Sequence, residues 1–237
     1  MTIYLFLFII GSCFGSFISC VSYRIVRNED WLFKRSKCDY CNNELRCYDL
    51  IPIFSYLFNK GRCRYCHNKI NISYLVIEIF SGLLFVLLFI NNGKLINYIY
   101  IERLILIIIL IGLSYVDIKI YIIPDGFIII GIINYLLFSI IEKNYFNILN
   151  ALIRSITIFI FLLLLVLIMN KLLKKESMGG GDLKLIFMLS LYFDLYQIIM
   201  IIIIACIISL IYLLFKKKDK IAFGPALSIA SIICLFI

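Results

Sequence analysis

Residues 97–116 read NYIYIERLILIIILIGLSYV, an almost unbroken apolar run that ends directly before Asp117. An α-helix needs roughly 20 apolar residues to cross the ~30 Å hydrocarbon core of a bilayer. Comparable runs lie at residues 2–23, 73–91, 124–141, 148–170, 196–215 and 221–237. These runs predict an all-α, multi-pass membrane protein.

The composition supports this interpretation. Of the 237 residues, 64% are apolar, and the mean hydropathy is +1.06. Soluble domains contain about 45–50% apolar residues, so a soluble fold of this size would have too little interior to bury the apolar surface. The first run is long for the apolar region of a signal peptide and is not preceded by basic residues. We therefore interpret it as the first span.

The formal net charge is +9. In a membrane protein, excess Lys and Arg mark the cytoplasmic loops, so we expect a lipid bilayer and no nucleic acid as a partner. Residues 182–215 allow one long span or a short helix followed by a full one. We expect the second, because a hairpin that turns near Asp194 keeps the flanking basic clusters on one side. This adds a short crossing at about 183–193 and makes eight. The clusters contain Lys171, Lys174, Lys175, Lys216, Lys217, Lys218 and Lys220.

The predicted topology places the N-terminus outside and 19 of the 23 Lys and Arg residues in the cytoplasm. The four at or near the outer ends are Lys94, Arg103, Lys143 and Arg154. The only polar segment long enough to form a small domain is 26–72, which this topology makes cytoplasmic.

Two CxxC pairs lie in this polar segment. Cys38 and Cys41 form the first, Cys63 and Cys66 the second, with 21 residues between the pairs. Four thiolates bind Zn²⁺ tetrahedrally at ~2.3 Å and stabilise segments that have almost no apolar core. Structural disulfides are also rare in the cytoplasm. We therefore predict a structural zinc site made by the four cysteines.

Other interpretations of the cysteines remain open. Two redox-active pairs or disulfides would use the same spacing, although neither pair lies in a strand-to-helix context of the thioredoxin type. Cys47 lies between the pairs and His67 follows Cys66, so either is a candidate substitute ligand.

Two aspartates lie at predicted cytoplasmic ends of spans. Asp117 ends the run quoted above, and Asp182 follows Gly179, Gly180 and Gly181. Ionisable groups at membrane depth are costly and are functional candidates. Two facing carboxyl groups share a proton, so that one activates water while the other protonates a substrate carbonyl. We therefore predict a catalytic aspartate dyad.

The three glycines permit close backbone approach, and we expect them to form a substrate-binding loop. The alternatives are helix-end aspartates that face water and a glycine run that is an ordinary loop. Asp125, after Pro124, is interpreted first as part of a helix start. Glu78 lies in an apolar run and needs a partner, for which we expect a basic residue of the cytoplasmic segment.

Six motifs occur in an order found in one family. They are GSFISCVSYR at 15–24, the cysteine segment with IPIFSY at 51–56, SYLVIE at 73–78, DIKIYIIPD at 117–125, MGGGDLK at 178–184 and FGP at 223–225. With these motifs the sequence resembles the type IV prepilin peptidases, or leader peptidases, which are membrane aspartic proteases. The departures are Leu75 in place of a proline and the absence of an asparagine after Gly15-Ser-Phe.

The resemblance implies a bifunctional enzyme of the bacterial cytoplasmic membrane. Its catalytic aspartates map onto Asp117 and Asp182, and its substrates are prepilins or pseudopilins, cut after Gly between a basic leader and an apolar helix. Members with the four-cysteine domain commonly also N-methylate the new N-terminus with S-adenosylmethionine. The expected organisation is a first span at 1–25, a zinc-binding, methyltransferase-associated domain at 26–72 and a peptidase bundle at 73–237. Competing hypotheses are a thiol redox membrane protein and a transporter or assembly scaffold.

Overall fold

The computed structural model of the chain describes residues 2–30, 35–143, 145–174, 178–216 and 221–236. Within these ranges the regular structure is helical, with a short 3₁₀ helix at Cys47–Leu50 and two isolated β-bridges. The α-helices are α1 (Thr2–Val26), α2 (Phe54–Phe58), α3 (Ile72–Asn91), α4 (Tyr98–Ile120), α5 (Asp125–Ile141), α6 (Tyr145–Leu173), α7 (Gly180–Tyr192), α8 (Leu195–Lys216) and α9 (Gly224–Cys234).

Apart from α2, each described helix coincides with one of the eight predicted spans. Five of them, α1, α3, α4, α6 and α8, are long and apolar enough to cross a membrane on their own. The helices α5, α7 and α9 have only 17, 13 and 11 residues. The prediction of a polytopic all-α protein is confirmed, whereas the count of eight crossings stays a prediction.

The chain divides into two compact units, Met1–Ile96 and Asn97–Ile237. In the first unit α1 packs along α3. A Cβ on Gly11 would lie 2.9 Å from the Cα of Gly82, so the absence of side chains lets the two backbones approach closely. Small residues at contacts of this kind are typical of helices that pack in membranes. The predicted domain boundaries at 25/26 and 72/73 stay predictions. By its contacts, α3 belongs to the first unit.

The segment between α1 and α3 is tied to α3 by a buried carboxylate. Glu78 is 8% exposed, and its Oε2 accepts a hydrogen bond of 2.7 Å from the backbone N–H of Ile53. The side chain of Ser16 also hydrogen-bonds Glu78. The described partners of Glu78 are therefore an amide and a hydroxyl, which differs from the expected basic residue, because the carboxylate meets a turn of the cysteine segment.

The second unit is built around α4. One face of this helix is fully buried, with Leu106, Ile107, Leu110, Leu113 and Val116 at 0% exposure. The helices α5 and α9 pack against it, and α7 packs against both α5 and α6. The apolar windows of α6 and α8 are only 17% buried, which is typical of helices that face lipid.

The short helix α7 ends in a dedicated hydrogen-bond cap. The Arg154 side chain donates to the carbonyl oxygens of Ser190 and Leu191 at 3.0 and 3.2 Å and to Asp194 Oδ1 at 3.0 Å. Helix C-termini have unsatisfied carbonyls and partial negative charge, which a cation stabilises. The cap explains why an arginine lies at an end of α6 that the charge pattern predicts to be outside.

Candidate active site and metal centre

Asp117 lies in the last turn of α4, and its side chain is 4% exposed. Its Oδ2 accepts a hydrogen bond of 2.9 Å from the N–H of Gly224, the first residue of α9. The first N–H groups of a helix have no partner within the helix and carry partial positive charge. The start of α9 therefore binds the Asp117 carboxylate.

Gly224 is the residue that permits this contact. A Cβ at this position would lie 2.6 Å from Asp117 Oδ2, so that the carboxylate or the helix would have to shift, and 3.2 Å from Leu113 Cδ2, which is a tight contact. The sequence singled out the motif at 223–225 only through the resemblance. The structure assigns it a physical role, because only glycine lets α9 begin against this carboxylate.

Asp182 is the third residue of α7 and is half-buried. Gly179 precedes the helix in an extended conformation, and a Cβ on it would lie 3.2 Å from Asp182 Oδ2. The Asp182 carboxyl group lies within electrostatic range of the Asp117 charge. The structure thus places the two aspartates that the sequence selected within that range of each other, one beside the start of α9 and one within the first turn of α7.

The α4–α5 connection also meets the start of α7. Asp125 is the first residue of α5, as expected for a helix start, and its Oδ1 lies 2.7 Å from Lys184 Nζ. A Cβ on Gly181 would lie 3.1 Å from the Cβ of Ile123. This ion pair and this close contact position the turn that carries Asp182.

The three glycines before Asp182 differ in role. The described glycines with positive φ lie elsewhere, at Gly61 and Gly93, so the glycine run uses no left-handed backbone. Gly180 and Gly181 form the first turn of α7. A Cβ on Gly180 would have no neighbour within 4 Å, whereas Gly181 is close to the preceding loop. A substrate-binding role for the run stays a prediction.

A cavity of about 370 Å³ begins at the Asp125–Lys184 pair. Apolar side chains of α5, α6 and α7 form the rest of its wall, namely Ile128, Ile129, Ile132, Phe159 and Phe187. A cavity that is charged at one end and apolar along its walls suits a chain that changes from polar to apolar along its length.

The four cysteines of the first unit come together as predicted. The Sγ atoms of Cys38, Cys41, Cys63 and Cys66 all lie within 4.8 Å of one another, and Cys38 Sγ is 3.8 Å from Cys66 Sγ. Tetrahedral coordination with Zn–S bonds of ~2.3 Å requires sulfur atoms ~3.8 Å apart. The donor set and its spacing therefore fit a structural zinc ion.

The two cysteine pairs lie in equivalent turns. The N–H of Cys38 donates to Asn43 O at 3.0 Å, and the N–H of Cys63 donates to Asn68 O at 2.8 Å. Antiparallel bridges close both turns, Lys37 with Glu44 and Arg62 with Lys69. His67 has φ 57° and occupies the place that Asn42, with φ 56°, has in the first turn. In the described part of the chain, His67 and Cys47 are not in the ligand group.

Comparison with known proteins identifies two family domains in the chain. Residues 9–92 match the Bacterial Peptidase A24 N-terminal domain, and residues 104–214 match the Type IV leader peptidase family. The chain belongs to the type IV leader peptidase family. No solved structure matches it.

Relatives of this peptidase include proteins named Prepilin leader peptidase/N-methyltransferase. That of Neisseria gonorrhoeae is 28% identical over 94% of this chain and 86% of its own length, and that of Vibrio cholerae is 27% identical over 99% and 97%. That of Myxococcus xanthus is 26% identical over 79% of this chain but only 55% of its own length. The predicted enzyme class, a bacterial multi-pass membrane peptidase, is confirmed by the family.

Proposed function

We propose that this peptidase removes the basic leader of type IV prepilins or pseudopilins by cutting after Gly at the cytoplasmic face, and that Asp117 and Asp182 form its catalytic dyad. The observation that supports the proposal is that these two carboxyl groups lie within electrostatic range of each other, one at the start of α9 and one at the start of α7. The names of the relatives support the choice of substrate.

The chemistry follows from two carboxyl groups in one site. Like charges at short range are costly, so the dyad holds one proton. The ionised carboxylate takes a proton from a water molecule, which attacks the scissile carbonyl, while the neutral carboxyl protonates the carbonyl oxygen. The tetrahedral intermediate then collapses as the leaving amine gains a proton, and no covalent acyl-enzyme forms.

The side of the membrane is inferred from charge. Lys119, Lys171, Lys174 and Lys184 lie at the same ends of helices as the dyad, and the positive-inside rule makes that side cytoplasmic. The predicted cluster members Lys175, Lys217, Lys218 and Lys220 lie outside the described residues. The cavity beside Lys184 has apolar walls, which supports a substrate with an apolar helix after its leader.

We propose further that the chain methylates the new N-terminus, with S-adenosylmethionine as the methyl donor and the segment 26–72 as the methyltransferase-associated domain. Bound S-adenosylmethionine would supply an electrophilic methyl group for the deprotonated α-amine. Cys38, Cys41, Cys63 and Cys66 would hold Zn²⁺ in a structural role, since four thiolates leave no ligand position for substrate.

The test is cleavage of a purified prepilin whose basic leader ends in Gly. Wild type, Asp117→Asn and Asp182→Asn are compared in detergent by mass spectrometry of the product. The matched control is Asp30→Asn, at an exposed aspartate of the cysteine segment. Folding is checked by size-exclusion chromatography and by zinc content.

We expect wild type and Asp30→Asn to cut after Gly and both dyad variants to be inactive while they retain zinc. Added S-adenosylmethionine should increase the product mass by one methyl group. A dyad variant that cuts at the wild-type rate would exclude the mechanism. If all proteins are inactive on several prepilins, the activity itself is wrong, and the transporter and thiol redox hypotheses become the ones to test.

A further inference from the structure

The cysteine segment carries an apolar surface that its own fold leaves uncovered. Five large apolar side chains lie within nine residues and are each at least 42% exposed, with Phe58 at 82%. We refer to them as the apolar patch: Leu50, Ile51, Phe54, Leu57 and Phe58. The rings of Phe54 and Phe58 stack on each other at 6.5 Å, so they form one surface on α2. Exposed apolar clusters of this kind mark contacts with a partner or a membrane.

The hydrogen bond to Glu78 sets the depth of the patch. Ile53 lies inside the patch sequence, and its N–H is bound to Glu78, six residues into α3. At ~1.5 Å per residue this amide lies about 9 Å along α3 from its first residue. Since α3 has 20 residues, about the length that spans the hydrocarbon core, the Ile53 amide is level with the acyl chains near the headgroups.

The lipid-facing surface of α1 places the apolar patch at the same depth in the bilayer. The last of the large apolar side chains exposed on α1 is Phe17, next to Ser16, whose side chain hydrogen-bonds Glu78. Beyond Phe17 the described large apolar residues of α1 are buried or only partly exposed. The patch therefore begins at the level where lipid contact on α1 ends, which is also the level of lipid-facing residues of α3 such as Val76, which is 55% exposed.

The backbone of this turn is strained, which shows that the attachment is specific. Ile53 has φ 64° and ψ −54°, and the N–H of Phe54 donates to Pro52 O at 2.6 Å, so three residues form a tight γ-turn. Positive φ is unfavourable for a β-branched residue, and such turns persist only where surrounding contacts hold them. The bond to Glu78 is that contact.

We propose that the apolar patch is inserted into the same leaflet that α1 leaves and α3 enters, so that the cysteine domain is anchored in the membrane interface. Exposed basic residues flank the patch in sequence, and their positive charge is attracted to the negative surface of an anionic leaflet. These residues are Arg46, Lys60, Arg62, Arg64 and Lys69. This anchor does not depend on the proposed enzymatic activity.

The test uses the full chain in nanodiscs of phosphatidylcholine and phosphatidylglycerol. The single tryptophan, Trp31, is first replaced by Phe, and Phe58→Trp or Phe54→Trp then places a reporter in the patch. Tyr40→Trp is the matched control, because Tyr40 is an aromatic residue of the same domain that is 66% exposed and lies outside the patch. Fluorescence is measured with lipids brominated near the ester end of the acyl chain and, separately, with aqueous iodide.

We expect the patch reporters to emit at shorter wavelength and to lose fluorescence with brominated lipid but little with iodide, and we expect the reverse for the control. Iodide quenching of the patch reporters equal to that of the control would overturn the proposal. Protection from both quenchers would also overturn it, since a second copy or another protein would then cover the patch. Zinc content and elution volume identify variants that have not folded. If one of the two reporter variants does not fold, the other still tests the proposal.

Discussion

Replacing Gly224 by alanine tests how the first dyad residue is held. The new Cβ would lie 2.6 Å from Asp117 Oδ2, whereas unstrained contact needs ~3.5 Å, so the carboxylate or α9 must shift by about 0.9 Å. The 2.9 Å hydrogen bond from the Gly224 N–H then exceeds hydrogen-bonding distance. A misplacement of about 1 Å at a catalytic group costs roughly 10²-fold in rate, so we expect kcat to fall about 100-fold.

The effect on stability should be smaller than the effect on rate. Loss of a hydrogen bond to a charged group costs about 1.5–3 kcal/mol, and the gain in helix propensity from Gly to Ala offsets up to about 1 kcal/mol. Steady-state cleavage of a prepilin at several substrate concentrations gives kcat and KM separately. We expect KM to change little, since the substitution acts on the reacting groups.

Gly126→Ala is the matched control. Gly126 lies in the first turn of α5, and a Cβ there would have no neighbour within 4 Å, so this variant should keep the wild-type kcat. If Gly224→Ala also keeps the wild-type kcat, α9 does not hold Asp117 and the assigned role of Gly224 is wrong. If the two variants lose activity equally, the loss comes from helix-start glycines in general, which would refute the steric reasoning as well.

Three further predictions concern the contacts that hold the fold. Cys38→Ser should abolish zinc binding, because a buried member of the four-thiolate set is lost, whereas Cys47→Ser, at an exposed thiol outside that set, should retain one equivalent of metal by atomic absorption. Arg154→Leu removes the cap of α7 and should lower stability by about 2 kcal/mol; Asp194→Asn, at a side chain 82% exposed, should cost less, and equal losses in a denaturation series would contradict the capping role. Glu78→Leu should speed hydrogen exchange at the Ile53 amide, because its only described acceptor is lost, and unchanged exchange would exclude the attachment.

The metal centre was predictable from sequence because its ligands are local. Each CxxC pair forms one tight turn, and the equivalent positions in the two turns differ by a constant offset, so the spacing favours these four cysteines as the ligands. The exclusion of His67 was less certain from sequence. It became clear once its backbone was seen in the left-handed position that Asn42 occupies in the other turn.

The partners of the buried carboxylates were not predictable, because they are backbone groups distant in sequence. Gly224 is 107 residues from Asp117, and Ile53 is 25 residues from Glu78. Almost every residue has a backbone N–H group, so the residue type does not indicate which N–H group will donate a hydrogen bond to a buried carboxylate. Sequence reasoning therefore expected a basic side chain for Glu78 where the structure has an amide.

By itself, the sequence determined the membrane class, the positions of the helices and the four cysteines that come together, and it selected the two aspartates as candidates. These depend on composition, on runs of apolar residues and on short motifs, all of which are local properties of the chain. Only the tertiary structure decided that α9 begins against Asp117, that Asp125 of α5 pairs with Lys184 of α7, and that a turn of the cysteine segment is bound to Glu78 of α3. Such contacts join segments far apart in sequence, and they depend on which helices pack together, which local pattern does not encode.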